Sequence, residues 1–188
     1  MSSKLKPVLL ILALASCGAS DKAAQGDSKG GAAMEHATIA KLNMNSNAFK
    51  DGQAIPDDYT CDGGDKTPVL RWGAPPPDTK SFALIVEDPD APSGTFRHWG
   101  VYDIPASARA IGGNQRVGTE ANNDFGRSGY GGPCPPKGHG EHHYRFKLYA
   151  LSVEHLDLGG GTKVADVESA ARRYAIGEGE IVGTYERS

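Results

Sequence analysis

Apolar and polar positions along this chain alternate mainly with a period of two, in short runs set off by glycine and proline. The strongest run, residues 81–88 (SFALIVED), is apolar on both faces and closed by Pro89, which predicts a central strand covered from either side. Residues 96–104 (FRHWGVYDI) predict the next strand, with His98, Gly100 and Tyr102 on one face and Trp99 and Val101 on the other. Gly100 inside that run implies a bulge or the close approach of another group. Residues 126–151 (GRSGYGGPCPPKGHGEHHYRFKLYAL) read as a loop that turns into a strand ending near Val153. From His142 onward, alternation places His142, Tyr144, Phe146 and Leu148 on one face and His143, Arg145, Lys147 and Tyr149 on the other.

Weaker signals complete the pattern. Shorter strands are predicted over 38–44, 69–72 and 180–185, while 48–80 is a succession of turn signals and 105–130 a long surface loop. One helix is predicted over 162–176: Val164, Val167, Ala171 and Tyr174 follow a 3.6-residue spacing, Asp166 and Glu168 come early, Arg172 and Arg173 late, and Gly177 is the expected cap.

Composition sharpens the fold class. With 25 Gly and 12 Pro in 188 residues, the chain favours many turns and short strands over a helical bundle, so a single mainly β domain is expected over 38–188. Residues 1–17 stand apart: Lys4 and Lys6 precede an apolar run too short to span a bilayer, which is the pattern of a secretion signal. The segment ends in Leu14-Ala15-Ser16-Cys17, which resembles the lipobox of bacterial lipoproteins, where the cysteine is acylated and becomes the first residue. Residues 18–37 are small and polar without hydrophobic period and read as a tether, about 20 residues with a reach of roughly 25 Å. The expected location is outside the cytoplasm, lipid-anchored to a bacterial membrane and facing the periplasm.

Loss of the signal removes Lys4 and Lys6 and leaves 18 basic against 23 acidic side chains, a balance of −5. That balance argues against a nucleic-acid partner and against attraction to anionic membranes, so membrane residence would rest on the lipid at Cys17. Export also places Cys61 and Cys134 where a disulfide persists. A bridge between them would close about 70 residues and stabilise the fold by about 4 kcal/mol; two free thiols are the alternative.

Candidate chemistry gathers at three strand ends: Asp88, His98, and His142 with Tyr144. A carboxylate leaving an apolar wall needs a partner. Two imidazoles whose pKa values it raises, a phenol, and backbone N–H groups of residues 128–132 would together receive an anion.

Several ordered motifs carry a family resemblance: IPDDYTCDG, TPVLRW, DPDAPSG at 88–94, FRHWGVYDIP at 96–105, GGPCPPKG followed by HHYRFKLYAL within 131–151, and the terminal EIVGTYER. Over residues 38–187 the chain resembles the phosphatidylethanolamine-binding proteins, in particular their bacterial Raf-kinase-inhibitor-like branch. The resemblance implies a β-sandwich-like fold with one short C-terminal helix and a small pocket for phosphate-type anions or phospholipid headgroups. By the same resemblance, Asp88, Pro92, His98, Gly132, Pro133, His142 and Tyr144 line that pocket. The Ala91-Pro92 bond is a candidate for the cis form. Gly100 stands where a larger apolar residue is usual, and the long C-terminal helix of eukaryotic members is missing.

The function expected is therefore non-catalytic binding of a phosphate-containing small molecule or headgroup, with no cofactor. Competing with it are a thiol hydrolase or transferase using Cys134 with His142 or His98 as base, a zinc site on His139, His142 and His143, and inhibition of a partner protein such as a protease. No Rossmann, P-loop or GxSxG fingerprint occurs.

Overall fold

The computed structural model describes residues 39–188. The signal segment 1–17, its Cys17 and the tether over 18–37 lie outside that range. In chain order the strands are β1 (Ala40–Lys41), β2 (Met44–Ser46), β3 (Gln53–Ala54), β4 (Leu70–Trp72), β5 (Ser81–Asp88), β6 (Phe96–Pro105), β7 (Ala110–Ile111), β8 (Thr119–Glu120) and β9 (His142–Leu151), followed by helix α1 (Val164–Tyr174) and β10 (Ala175–Tyr185). Seven of them form one sheet in the order β1-β10-β9-β5-β6-β8, with β3 also paired to β10; β2, β4 and β7 form a second sheet of three. Strand β5 lies between β9 and β6, antiparallel to both, as a run apolar on either face requires.

Alternation along β5 builds two cores. Phe82, Leu84 and Val86 face the small sheet and pack with Phe146 and Leu148 against Leu70, Trp72 and Ile111. Ala83 and Ile85 face the other way and pack with Tyr149 and Leu151 against Val164, Val167, Ala170 and Ala171 of α1. Each such large apolar side chain contributes about 1.5–3 kcal/mol by leaving water. On the helix side Lys147 pairs with Glu87 and with Glu168 at 3.3 Å, and Glu168 also receives Arg172 at 2.7 Å, tying α1 to β5 and β9.

Four sequence expectations change. The strand expected over 38–44 is two: the chain leaves the large sheet after β1 and joins the small one at β2, with buried Leu42 at the crossing and its N–H on the Glu178 carbonyl at 2.8 Å. The loop over 105–130 contributes β7 and β8 and buries Ile111, Ala121 and Tyr130. The last strand is eleven residues, beginning directly where α1 ends. Gly177 consequently lies inside β10, where an added Cβ would meet Pro76 and Ala150 at 3.1 and 3.2 Å, so packing and not capping demands the glycine.

Gly100 has the same kind of explanation. A Cβ there would stand 2.6 Å from Cγ2 of Val164, the first and fully buried residue of α1, so the missing side chain is the seat of the helix. Gly100→Ala is expected to cost about 1–3 kcal/mol through overpacking, and adding Val164→Ala should return part of that loss; urea unfolding of the two variants measures both.

Candidate functional site

The site starts where β5 ends. Pro89 stops the strand, and the Asp90 N–H donates to Asp88 Oδ1 at 2.8 Å, folding the DPD segment back as an Asx turn. The other carboxylate oxygen, Oδ2, accepts from His142 Nδ1 at 2.7 Å, and both residues are buried. One residue further, His143 faces the opposite side and places its backbone N–H and Nδ1 on Asp90 Oδ2, each at 2.8 Å. Two aspartates thus hold two successive histidines on opposite faces of one strand.

His98 arrives by a β-bulge. Val86 pairs with Trp99 but Glu87 pairs with Arg97, so His98 is an extra residue in β6. Strict alternation would set it beside Gly100 and Tyr102 on the helix side; the bulge instead turns it toward β9, where its ring lies edge-on to Tyr144 with centroids 5.2 Å apart. Its Nδ1 donates between the Gly131 and Gly132 carbonyls, at 2.8 and 3.1 Å, which leaves Nε2 without a partner among the described residues. Burial lowers the His98 pKa below its ordinary value, against the opposing pull of the Gly131 carbonyl and Asp88. The expectation of a raised pKa is therefore overturned for this ring, which is neutral at pH 7, because desolvation outweighs a carboxylate already engaged with His142.

The wall behind His98 explains the glycines and prolines of the loop. An added Cβ on Gly132 would meet Asp65 Oδ1 at 2.6 Å, and the same Asp65 oxygen accepts the Gly132 N–H. Cys61 N–H donates to the Pro133 carbonyl at 3.1 Å, Tyr130 O–H to the Tyr59 carbonyl at 2.8 Å, and Cys61 and Cys134 are joined as a disulfide with Cα atoms 5.4 Å apart. Gly132 and Pro133 thus stand behind the wall, positioning it. With its sulfur in the bridge, Cys134 carries no thiol for hydrolase or transferase chemistry. No cis peptide bond occurs among the described residues, so Ala91-Pro92 is trans.

Asp88, Pro92, His98 and His142 line one hollow of about 410 Å³, together with Ala91, Phe96, Asp124, Phe125, Cys134, Pro135 and Pro136. No lysine or arginine lines it. The lip is apolar, with the Phe125 ring 44% exposed and packed edge-on against Phe96. Tyr144 lies beside the hollow, fully buried, and its hydroxyl has no hydrogen-bond partner among the described residues. Burial first, then the charge of Asp88, pushes its phenol far above the ordinary value, so it stays an O–H donor. A hollow of about 450 Å³ beside β1 has none of these buried polar groups.

The three histidines of the metal alternative separate. His139 Nδ1 meets His142 Nε2 at 2.8 Å, whereas His143 is held by Asp90 on the other face, and no group of three or more His, Cys, Asp or Glu suited to a metal occurs among the described residues. Pattern analysis missed Phe96, Phe125 and Asp124 as lining residues and Asp65 as the support of Gly132. A lone aromatic in the polar run 122–127 was the available signal for Phe125; Asp65 lies 67 residues from its partner and left none.

A three-layer β fold with a buried polar floor beneath an apolar-lipped hollow defines a ligand-binding β-sandwich. The profile of the phosphatidylethanolamine-binding protein family matches residues 45–186. A UPF0098 protein of Aquifex aeolicus is 48% identical over 166 residues, covering 85% of this chain and 92% of that protein. LppC of Mycobacterium tuberculosis H37Rv, named as a candidate lipoprotein, is 41% identical over 147 residues, covering 77% of this chain and 72% of its own length. The crystal structure of Escherichia coli YbcL, described as a member of the mammalian PEBP family, superposes with a TM-score of 0.73 at 35% identity, over 79% of this chain and all of that one. The chain belongs to the phosphatidylethanolamine-binding protein family.

An unpartnered buried hydroxyl costs stability until something bonds to it. Tyr144→Phe is accordingly expected to leave unfolding stability unchanged or raise it by about 1 kcal/mol. A loss of that size in urea unfolding would instead mean that the hydroxyl is bonded to Asp88.

Proposed function

We propose that the protein binds a phosphoryl group, as a free phosphate ester or as a phospholipid headgroup, in the hollow over His98 and Tyr144, without transforming it. The observation that carries this reading is His98 Nε2 in the lining of the hollow, neutral and without a partner among the described residues, with the buried, unpartnered hydroxyl of Tyr144 on the ring packed edge-on to it. A phosphoryl group satisfies both, accepting from the Tyr144 O–H and sharing a proton with His98 Nε2. The hollow is large enough for the substituent of such an ester, and Phe96, Phe125, Pro92, Pro135 and Pro136 give that substituent an apolar lip. The thiol alternative has no nucleophile, since Cys134 is bridged.

The setting follows the sequence. The domain is held by a lipid at Cys17 through the 18–37 tether, outside the cytoplasm and facing the periplasm. Support comes from the signal-like segment and from the similarity to LppC; among the described residues no helix is long and apolar enough to cross a membrane.

The neutral floor fixes the sign of the pH dependence. A phosphomonoester loses its second proton at about pH 6, and His98, its pKa lowered below the ordinary value by burial, is deprotonated at pH 7. Above that pH the complex holds one proton more than the separated partners, whether it rests on phosphoryl oxygen or on Nε2. Affinity for phosphoethanolamine is therefore expected to fall by up to about tenfold per pH unit above pH 7, and His98→Phe should abolish binding. Titration calorimetry between pH 6 and 8.5 tests this; affinity that rises with pH, or survives in His98→Phe, contradicts it.

A further inference from the structure

The second imidazole of the pocket is fully engaged without a ligand. His142 spends Nδ1 on Asp88 Oδ2 at 2.7 Å and Nε2 on His139 Nδ1 at 2.8 Å, so neither ring nitrogen is free for a molecule in the hollow. The two partners differ in kind. Asp88 is buried at the end of β5 and fixed by its own turn, whereas His139 is exposed in the loop before β9. Its ring meets that of His142 edge-on, centroids 5.1 Å apart.

His139 is also flanked on both sides by a glycine with left-handed backbone. Gly138 has φ of 71° and Gly140 of 89°, and an added Cβ on either would meet nothing within 4 Å. Neither glycine is demanded by close packing; both serve the backbone conformation that swings His139 onto His142. The rest of the loop is held at its base, by the Gly138 N–H on the Arg187 carbonyl at 3.0 Å and the His139 N–H on the Pro136 carbonyl at 3.1 Å. The imidazole can thus rotate away on its own side-chain torsions without unfolding the loop.

We propose that His139 is a displaceable latch: it occupies His142 Nε2 in the empty protein, and the ligand's phosphoryl group takes that position when His139 swings out to solvent. This inference rests on the phosphoryl-binding reading and adds its regulation. It assigns His142 to the ligand's first contacts only in the loaded state, and it makes His139 a competitor of the ligand instead of a contributor to its binding. The floor atoms His98 Nε2 and Tyr144 Oη receive the ligand first; His142 joins when the latch yields.

The test compares wild type with His139→Ala, using inorganic phosphate and phosphoethanolamine as probes at pH 7. Removing a competing hydrogen bond is expected to tighten binding of both by about five- to tenfold. In long-range ¹H–¹⁵N spectra, the His142 Nε2 resonance of wild type should move on saturation with phosphate, and the His139 resonances should move toward those of a solvent-exposed imidazole. Gly140→Ala keeps both imidazoles and disfavours the backbone φ of 89° that presents His139 to His142, so it should loosen that contact and tighten binding in the same direction by a smaller factor. Unchanged or weaker affinity in His139→Ala, or a His139–His142 contact that persists in the saturated protein, overturns the latch while leaving the phosphoryl reading standing. If wild type and both variants bind neither probe, the phosphoryl reading falls and the latch with it.

Discussion

The site depends on one extra residue in one strand. Were β6 regular, His98 would point at α1, and Asp88, His142 and Tyr144 would close over an apolar gap. The bulge between Arg97 and Trp99 turns its imidazole to the other side of the sheet, and the Gly131 and Gly132 carbonyls lock the ring with Nδ1 inward and Nε2 toward the hollow. Those carbonyls are available because their loop is fastened from behind by Asp65, by Tyr130 on the Tyr59 carbonyl and by the disulfide. Much of what looks like binding-loop sequence is therefore scaffolding for a single imidazole.

For the proposed phosphoryl site, that arrangement is unusual in having no lysine or arginine in its lining. Its polar floor is neutral, its carboxylates are engaged by His142 and by the Arg97 backbone, and its lip is aromatic and proline-rich. On the proposed reading, recognition rests on shape, two unspent hydrogen-bonding atoms and a shared proton. On the opposite face of the sheet the charges are dense but closed: Glu87, Lys147, Glu168 and Arg172 satisfy one another and fix the helix.

Strands with strong local pattern were legible in the sequence. The central place of β5 and the pairing of His142 with Tyr144 on one face of β9 follow from alternation alone, and the packing demand at Gly100 was visible as a glycine out of place. What alternation cannot show is where it fails. A bulge reverses facing without changing composition, so alternation sets His98 beside Gly100 and Tyr102 even as the sequence groups it with Asp88 and His142 as candidate chemistry. The same limit hid β1 and β2, whose single predicted strand changes sheets at Leu42. It also assigned Gly177 to the end of a helix when Pro76 and Ala150, distant in sequence, decide its role. His139 was visible as a residue, but its contact with His142 depends on two positive-φ glycines whose conformation sequence does not specify.

The proposed function hangs on a neutral, inward-locked His98 whose Nε2 is open to a phosphoryl group. Imidazole ¹H–¹⁵N correlation spectra at pH 7, recorded with and without phosphoethanolamine, address it most directly. A protonated Nδ1 and a bare Nε2 are expected in the free protein, with a large displacement of that Nε2 signal on saturation. A His98 ring that titrates like an exposed imidazole in the free protein, or an Nε2 signal unmoved by ligand, would contradict it.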